Sequence, residues 1–527
     1  MTIVQPSSLL GLVSRDSFSM ERIILLIFLS LIIITVNSCN YEEFEKIAIV
    51  SGIAEDGTEV KSVAKEDCTK FSVPSIPSTV SSGGLSVNLV IIQITFEGSI
   101  IEKSYGDPFA QQSFKSGTSC WANKIFGTGT GQLNEYWQEV SYGKFMVLPA
   151  SETHGINNDG IITVGLSGNH PNFNKTSSSG VYTDTYFSEA LTKADPYIDF
   201  SQYDSNNDGH LSTIELQVMF LVAGGESAAG GFPGIWAHKS CIPKTLSNGA
   251  VHPTHDGYSI AECGYQGYST FGERQPELTT TLTGKMVDAR IGTIAHELAH
   301  AIFCLPDLYD YTGNSKGIGT WGLMASGASG NSRNGDYNFG STPTHLTAWS
   351  KYKTDGSWCY NWYGNTANYN GVVFELPDNI SSSSSSVTLY HSTHTNFNTK
   401  IINIPGKTKE YFMVENIGHD GYQQGLNHSL WDVGEDVSGI AIWHIDENQL
   451  TNDNVTHKLV DLEEAADAGL DNKNHLGKRT NLFYSGNKTE FSNSTEPNSK
   501  SYDGNSSGIT INNISAPGES MTLDISF

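Results

Sequence analysis

The pattern of hydrophobic and polar positions predicts a mixed α/β region in the first part of the chain. Residues 85–96, LSVNLVIIQITF, are β-branched and almost continuously apolar, as expected of a strand that is buried on both faces. Apolar side chains then recur at helical spacing in GQLNEYWQEV, and ELQVMFLVAGG predicts a further buried strand. These elements predict an α/β (α+β) domain over residues 85–364.

The second part of the chain has a different pattern. From about residue 365, short apolar runs such as EYFMVENIGHDG and SGIAIWHIDENQL are separated by Ser, Asn and Gly, and Ser381–Ser386 are consecutive serines. Such runs are typical of strands joined by turns, and the serine run is typical of a solvated loop. The pattern predicts a mainly β domain over residues 365–527.

A third pattern lies in IGTIAHELAHAIFCLPDLYD, residues 291–310. Apolar residues at helical spacing predict a helix with one buried side, and on it His296 and His300 are four positions apart. Side chains at this spacing project from one helix face, so both imidazoles can bind the same metal ion. Glu297 adjoins the first histidine, where a base acting on a metal-activated water is expected. The alternative is an exposed helix whose histidines bind nothing.

The segment after this helix offers candidates for a third metal ligand. Pro306 ends the helix, and Asp307 and Asp310 then supply carboxylate oxygens suited to a zinc site with three protein ligands and one open position. Farther along, Met324 lies in the Gly-rich turn GTWGLMASGASG, which could run beneath the metal.

These motifs resemble a known family. H-E-x-x-H followed by LPDLYD and WGLMASG is similar to the M6 peptidases, the immune inhibitor A family of secreted zinc metalloproteases in the metzincin-like group. EYWQEVSYGKF, TPTHLTAWSKY, IAIWHIDENQL, HKLVDLEEA and INNISAPGESMTLDI resemble other recurrent stretches of that family, so the resemblance extends from about residue 85 to the C-terminus. It implies a metzincin-like catalytic domain, zinc as the cofactor, and proteins or peptides as substrates.

The resemblance also implies roles for individual residues. His296 and His300 would bind zinc, Glu297 would be the general base, and Met324 would be the Met-turn residue. In the implied mechanism, Glu297 takes a proton from a zinc-activated water that attacks the peptide carbonyl, and then passes the proton to the leaving amine. The oxyanion needs a further donor, which could be Tyr309 or Tyr311, although both could equally be packing residues.

The chain departs from the family pattern where the helix ends. Family members commonly read H-E-x-x-H-x-x-G-L-P-D, whereas this chain has one residue more, with Cys304 in the place of the glycine. Asp307 keeps the LPD context and is the predicted third ligand, with Asp310 as the alternative. Glycine adopts a left-handed helix end at little cost, whereas cysteine is strained there. We therefore predict that this helix ends by another geometry, held by a disulfide from Cys304.

The segment DSNNDGHLSTIE is a second candidate metal site. It matches the twelve-residue calcium-loop pattern through Asp204, Asn206, Asp208, Gly209, the backbone carbonyl of His210, and Glu215. Because a strand follows where an EF-hand would have a helix, we expect a lone calcium loop that braces the catalytic domain. The alternative is a plain Asx/Gly turn without a bound ion.

The start of the chain predicts export. The apolar run 23–36 has the length of a signal-peptide core and is shorter than the roughly 18 to 20 residues of a membrane span. Residues 1–38 are the predicted signal peptide, with Met20 as a candidate true start and an uncleaved anchor as the alternative. VNSC resembles a bacterial lipobox in which Cys39 would be lipidated, and residues 39–84 are a predicted pro-region or linker. The protein is expected to be secreted or to be a cell-surface lipoprotein.

The remaining cysteines suit an exported chain. Without Cys39 six are left, an even number that favours disulfides. Cys241–Cys263 is the first predicted pair, and Cys304–Cys359 and Cys68–Cys120 are the further predicted pairs. A second hypothesis is that Cys68 caps the zinc as a thiolate until the pro-region is cleaved.

Charge argues against nucleic acid as a partner. The chain has 30 Lys and Arg against 56 Asp and Glu, a net charge of −26, which repels phosphate backbones. An acidic cluster in the C-terminal part is expected to be solvated surface rather than a cation site: Asp446, Glu447, Asp461, Glu463 and Glu464. Surface or hydrogen-bonded positions without a ligand role are expected for the side chains of His210, His238, His255, His345 and His444.

Two functional hypotheses follow. The first is an exported zinc endopeptidase that hydrolyses peptide bonds in proteins. The second is a surface binding or adhesion protein that retains a relic zinc site. A relic would be expected to have lost a ligand or the base, and His296, Glu297 and His300 are all present, which favours the enzyme.

Overall fold

The structure is a computed structural model that describes most of the chain after residue 82. The described residues are 83–97, 114, 117–172, 183–231, 234–265, 267–277, 286–331, 336–359, 371–427 and 437–527. The predicted signal peptide, Cys39, Cys68 and nearly all of the predicted pro-region lie outside these residues. Within them, no helix combines the length and the apolar character needed to cross a membrane.

A mixed sheet of eight strands dominates the first half of the described chain. Its strands are β1 (Leu85–Phe96), β2 (Phe145–Pro149), β3 (Ile161–Leu166), β4 (Leu216–Glu226), β5 (Gly234–Ile235), β6 (His238–Ser240), β7 (Tyr268–Pro276) and β8 (Met286–Asp288). The main order is β2-β1-β4-β7-β6, while β3 also pairs with β1, β5 with β4, and β8 with β7. β1 is parallel to β2, β3 and β4, and β4 is parallel to β7, whereas β6 and β8 run antiparallel to β7. β6 therefore ends this order as an antiparallel strand.

The helices of the described residues are few and short. The α-helices are α1 (Thr118–Phe126), α2 (Leu133–Val140), α3 (Thr183–Ala194), α4 (Ile291–Phe303) and α5 (Ala348–Tyr352). Short 3₁₀-helices lie at Asp195–Tyr197, Phe200–Tyr203, Ser227–Ala229, Gly319–Trp321, Ser326–Ser329, Lys353–Asp355, Ser357–Cys359, Gly421–Asn427 and Arg479–Asn481.

The large sheet is covered on both faces. Alternate side chains of β1 join different cores: one core contains Leu89 and the apolar side of α4, and the other contains Val90 and the apolar side of α3. All residues of β4 are buried. A strand that is covered on both faces needs apolar residues at nearly every position. The predicted buried strands are therefore confirmed, and their continuous apolar runs are explained.

The C-terminal part consists of two further sheets. Their strands are β9 (Asp378–Ile380), β10 (Ser385–Tyr390), β11 (Lys400–Asn403), β12 (Glu410–Ile417), β13 (Gly439–Asp446), β14 (Val460–Leu462), β15 (Thr510–Asn512) and β16 (Ser520–Ser526). The five-stranded sheet has the order β14-β13-β12-β11-β9, and the three-stranded sheet has the order β10-β16-β15. The predicted serine loop is thus shorter than expected, because Ser385 and Ser386 begin β10.

The five-stranded sheet connects the two parts of the chain. On one face, Met413 and Trp443 belong to the same core as α4, and on the other, Phe412 and Ile442 belong to a third core that includes the small sheet. Several sheets with few helices confirm the mixed α/β prediction. The predicted boundary after residue 364 lies outside the described residues, and a separate β domain stays a prediction.

Two of the predicted disulfides are confirmed. Cys241 is bonded to Cys263 and Cys304 to Cys359, with Cα atoms 4.8 and 5.0 Å apart. Cys120 is also disulfide-bonded, but because Cys68 lies outside the described residues the pairing of these two stays a prediction.

Candidate metal centre

Helix α4 carries the two predicted histidine ligands, and its presence confirms the predicted helix. Ile294, Leu298 and Ile302 recur at helical spacing and are fully buried in the core between α4 and the large sheet. His296 and His300 lie together on another part of the helix surface, one turn apart, as their spacing predicts.

The end of α4 corrects one prediction. Cys304 caps the helix in the left-handed conformation, with φ 54° and ψ 27°, so the helix does end as a glycine would allow. The Cys304 N–H donates to the His300 carbonyl oxygen at 3.0 Å, and the side chain is fixed by the disulfide to Cys359. The conformational cost for a non-glycine residue is about 1–2 kcal/mol. A buried disulfide and hydrogen bonds at the helix end are sufficient to offset it.

Three ligand atoms converge beyond the helix. His296 Nε2 lies 3.0 Å from His300 Nε2 and 3.0 Å from Asp307 Oδ1, and His300 Nε2 lies 3.2 Å from the same oxygen. The edge of a tetrahedron around zinc is about 3.3 Å when the bonds are about 2.0 Å long. Among the described residues, His296, His300 and Asp307 form the one group of three His, Cys, Asp or Glu side chains whose ligand atoms all lie within 4.8 Å of one another.

The outward ring nitrogens of both histidines are held by backbone carbonyls. His296 Nδ1 is 2.9 Å from Leu323 O, and His300 Nδ1 is 2.5 Å from Leu305 O. Each Nδ1 must therefore donate a proton, which leaves the lone pair of each Nε2 directed at the other and at Asp307. Three electron-pair donors this close repel one another unless they share a cation, so the residues fit a zinc ion.

The electrostatics of the group also favour a bound positive charge. Burial lowers the pKa of His296, but the hydrogen bond and charge of Asp307 outweigh it and raise this pKa to about 9. Burial opposes ionisation of Asp307, but the adjacent His300 and His296 hold the pKa of its carboxyl well below its usual range. A proton or a metal ion can supply the charge, so metal binding is expected to release a proton.

Asp310 is not part of this group. Its Oδ1 accepts hydrogen bonds from the backbone N–H and the hydroxyl of Thr312, and its Oδ2 accepts the corresponding two bonds from Ser315. Burial raises the pKa of Asp310, but these bonds lower it overall. Asp310 thus caps its own loop, and the geometry favours Asp307 as the third ligand.

The two tyrosines that could serve an oxyanion are directed at Asp307. The Tyr311 hydroxyl donates a hydrogen bond to Asp307 Oδ2, the oxygen that does not face the histidines. Tyr309 packs against Tyr311, with ring centroids 4.9 Å apart. Burial and the Asp307 charge raise the pKa of Tyr309 far above its ordinary value, so its hydroxyl stays protonated. Orientation of the carboxylate is therefore the role that these contacts support.

The segment around Met324 runs beside the ligands. Met324 is buried, and its carbonyl oxygen accepts a hydrogen bond of 2.8 Å from the N–H of Leu308, next to Asp307. The preceding carbonyl, of Leu323, is the one that holds His296. The Gly-rich turn thus contacts both the helix and the ligand loop.

Comparison with known proteins agrees with this geometry. Residues 168–359 match the family model of the immune inhibitor A peptidase M6 catalytic domain. The predicted resemblance to the M6 family is confirmed over these residues, and its extension from about residue 85 to the C-terminus stays a prediction. The matched range holds α4, Asp307, Met324 and the disulfide from Cys304, and it supports a metallopeptidase that acts on proteins or peptides. No curated protein matched the chain.

Two residues within the matched range 168–359 feel the charge of Glu297, which the sequence did not indicate. Glu297 is buried on α4, and its charge acts on Glu226, at the end of β4, and on His238, in β6. Burial raises the pKa of Glu226 to about 8, and Glu297 contributes to that rise. Burial lowers the pKa of His238, which favours its neutral form. Both residues come from strands far from the H-E-x-x-H motif in sequence, so no local pattern could indicate them.

The predicted calcium loop, Asp204–Glu215, also lies within residues 168–359, but its side chains do not converge as those of the histidine site do. Asp204 Oδ2 accepts hydrogen bonds of 3.1 Å from the Gly209 N–H and from the Tyr258 hydroxyl. Glu215 accepts from the backbone N–H groups of Ser205 and Ser212 at 3.0 and 2.9 Å. Its carboxylates form no group of three with ligand atoms within 4.8 Å of one another. The residues after Glu215 form β4, as predicted, and bound calcium stays a prediction that involves Asp204, Asn206, Asp208, the His210 carbonyl and Glu215.

Other residues considered in the sequence belong to buried hydrogen-bonded networks. His444 lies between Glu410 and Glu463, with ring nitrogens 3.2 and 3.1 Å from their carboxylates. The expectation of a solvated acidic surface is wrong for Asp446 and Glu464, which are buried. Asp446 Oδ2 lies 2.7 Å from His457 Nε2, and Glu464 accepts a hydrogen bond of 2.9 Å from the Asn481 side chain.

Proposed function

We propose that the protein is an exported zinc metalloendopeptidase with a metzincin-like catalytic domain. The observation that carries the proposal is the convergence of His296, His300 and Asp307 within 3.2 Å, next to Glu297 on the same helix. Its position inside the range that matches the M6 catalytic domain makes peptide hydrolysis the reaction that best fits the group.

The chain's own residues define the chemistry. Zinc held by His296, His300 and Asp307 would supply a Lewis acid that polarises the peptide carbonyl and makes a water molecule acidic. Glu297 adjoins the first ligand and is the nearest carboxylate in sequence that is not needed to bind the ion. Its carboxylate accepts the proton of the attacking water and delivers it to the leaving amine. Tyr311 keeps Asp307 oriented through its hydroxyl.

The large sheet offers a place for an extended substrate. β6 ends the strand order of the described sheet, and α4 packs against both β6 and β7. A peptide that pairs with such an edge would lie in extended form beside α4, with main-chain hydrogen bonds supplying affinity. This arrangement fits a protein or peptide substrate, because main-chain pairing does not depend on a charged group in the substrate.

Export and calcium binding complete the proposal. The apolar run at residues 23–36 and the disulfides Cys241–Cys263 and Cys304–Cys359 fit an exported protein, because disulfides persist in oxidising compartments. Lipidation at Cys39 would keep the enzyme at the cell surface. Calcium at the Asp204–Glu215 loop would serve stability and take no part in the reaction.

Casein hydrolysis with and without a zinc chelator tests the proposal. We expect the purified protein to cleave casein, to lose activity with 1,10-phenanthroline, and to regain it when zinc is restored. Hydrolysis that persists after the zinc has been removed, or a zinc-loaded protein without hydrolysis, would favour the alternative of a binding or adhesion protein with a relic site.

A further inference from the structure

Glu226 joins three segments of backbone at the end of β4. The side chain is fully buried, with 0% exposure. Its Oε1 accepts hydrogen bonds from the N–H groups of Ala228 at 2.8 Å and Ala237 at 3.1 Å, and its Oε2 accepts one from Gly272 at 2.8 Å. These donors lie in the turn after β4, directly before β6, and within β7. One carboxylate therefore links three parts of the sheet.

The backbone around Glu226 is closely packed. The register between β4 and β7 shifts between Val222 and Gly225, which forms a bulge immediately before Glu226. A Cβ on Gly234 would lie 2.0 Å from Gly225 O, and one on Gly272 would lie 2.2 Å from the same oxygen. The neighbouring strands therefore approach the bulge through glycines, and the carboxyl group lies where the backbone segments are closely packed.

The hydrogen bond from the Ala237 N–H to Glu226 Oε1 connects Glu226 to the candidate active site. Ala237 directly precedes β6, which packs against α4, the helix of Glu297. At the other end of β6, the Cys241–Cys263 disulfide follows immediately after Ser240. The short strand is thus anchored at its start by Glu226 and beyond its end by a covalent bond.

We propose that Glu226 is a positioning residue that fixes β6 beside α4 and so determines where a peptide substrate lies relative to Glu297. This inference rests on the proposed peptidase function. A carboxyl group suits the role because both of its oxygens can accept N–H bonds, whereas a glutamine would direct its own N–H₂ group at one of the donors. Without these bonds, Ala237 and Gly272 would keep buried donors without acceptors, and the strand would shift to satisfy them.

The test compares Glu226→Gln and Glu226→Ala with the wild-type protein. Glu152→Gln is a matched control, because Glu152 is also a buried carboxylate that accepts backbone N–H bonds, from His154 at 2.5 Å and Asp159 at 3.0 Å, in the loop after β2. Three quantities are measured: amide hydrogen exchange of the segments with Ala237 and Gly272, zinc per chain, and kcat and KM per zinc-loaded molecule for an extended peptide.

We expect both Glu226 variants to keep one zinc per chain and to exchange the Ala237 and Gly272 amides roughly 10- to 100-fold faster. We expect kcat/KM to fall by roughly 10-fold or more, with a large part of the change in KM, while Glu152→Gln keeps wild-type kcat/KM. If Glu226→Ala does not fold, Glu226→Gln carries the test.

Two results would overturn the inference. Faster exchange with unchanged kcat and KM would make Glu226 a purely structural residue, and loss of zinc in Glu226→Gln would show that it acts on the ligands and not on β6. A zinc-loaded wild-type protein that does not cleave the peptide would instead contradict the proposed function. The wild-type assay is therefore carried out before any variant is compared.

Discussion

The zinc-type site on α4 and the calcium-type loop Asp204–Glu215 were both found as short motifs, yet the structure builds them differently. On α4, a regular helix and a fixed loop bring the three ligand atoms within 3.2 Å of one another. In the loop, Asp204 and Glu215 accept hydrogen bonds from the backbone of their own segment. The ligand atoms of the first motif are brought together by the surrounding structure, whereas the carboxylates of the second are held by the backbone of their own loop.

This difference implies different consequences for function. A site whose ligands are positioned by the core fixes the coordination geometry that catalysis needs. A loop on the surface contributes the free energy of ion binding to stability, and no more. The following predictions compare the two sites, beginning with the largest expected effect.

Removing a histidine should separate the two sites most clearly. We expect His300→Ala to lose bound zinc and to lower peptidase activity by roughly 10³-fold or more, because the remaining ligands cannot hold the ion. An Asp204→Ala, Asp208→Ala double variant should keep zinc and activity at 25 °C. Metal analysis and a peptide assay measure both, and equal losses in the two variants would contradict the comparison.

The two aspartates after α4 form a matched pair. We expect Asp307→Asn to weaken zinc binding more than the roughly 10- to 100-fold that is typical of a residue outside the ligand set. Asp310→Asn should keep zinc and lose about 1–3 kcal/mol of stability, because the backbone donor of Ser315 loses a charged acceptor. Zinc titration with a competing chelator distinguishes them, and stronger binding in Asp307→Asn than in Asp310→Asn would reverse the assignment.

The disulfide at the end of α4 should contribute more to stability than the calcium-type loop. Cys304 and Cys359 are 55 positions apart, and closing a loop of that length stabilises by about 4 kcal/mol. We expect Cys359→Ala to lose about that amount in urea unfolding. Adding Cys304→Gly should recover about 1 kcal/mol, because glycine adopts the left-handed helix end without strain. No recovery would contradict the account of the helix end.

His444 lies beside carboxylates, as His296 and His300 do, but is expected to bind a proton and not a metal ion. Burial lowers its pKa, but hydrogen bonds to Glu410 and Glu463 raise it to about 9. Both ring nitrogens of His444 face carboxylates and donate to them, whereas His296 and His300 each direct one nitrogen at a backbone carbonyl and the other at the ligand group. Since the pKa in the folded state lies above the ordinary value of about 6.5, the stabilisation is complete below that pH and is lost as the pH rises through about 9.

The predicted size of this effect is up to about 3 kcal/mol. Wild-type protein should lose that much more unfolding free energy between pH 6 and pH 10 than His444→Gln, as measured by urea unfolding at several pH values. Parallel pH profiles would show that the histidine is not charged in the folded protein.

The calcium-type loop should give the smallest effect. We expect chelation of calcium to lower Tm by a few degrees, which corresponds to about 1–2 kcal/mol, and to leave the zinc-dependent activity unchanged at 25 °C. The Asp204→Ala, Asp208→Ala variant should not respond to chelation. A wild-type Tm that does not depend on calcium would leave the segment as an Asx/Gly turn.

The sequence predicted the parts of the structure that depend on local spacing. Helix α4, the shared face of His296 and His300, and the buried strands β1 and β4 all follow from periodicity, because side-chain direction is set by the backbone of a single element. The calcium-type pattern was also visible, but the sequence of a loop does not determine whether its carboxylates face an ion or their own backbone.

The remaining features depend on contacts between distant segments. Choosing between Asp307 and Asp310 required the position of the loop, and the left-handed Cys304 required knowledge of the bonds at the helix end and of the disulfide. Glu226 and His238, which feel the charge of Glu297, belong to strands that precede α4 by many residues. The sheet topology that brings them there has no local signature.

The most direct test of the central claim is the zinc content and peptidase rate of Glu297→Gln beside the wild type. The account predicts one zinc per chain in both proteins and a rate lowered by roughly 10²- to 10⁴-fold in the variant, because the ligands are intact and the base is not. A zinc-loaded Glu297→Gln variant with the wild-type rate would contradict it.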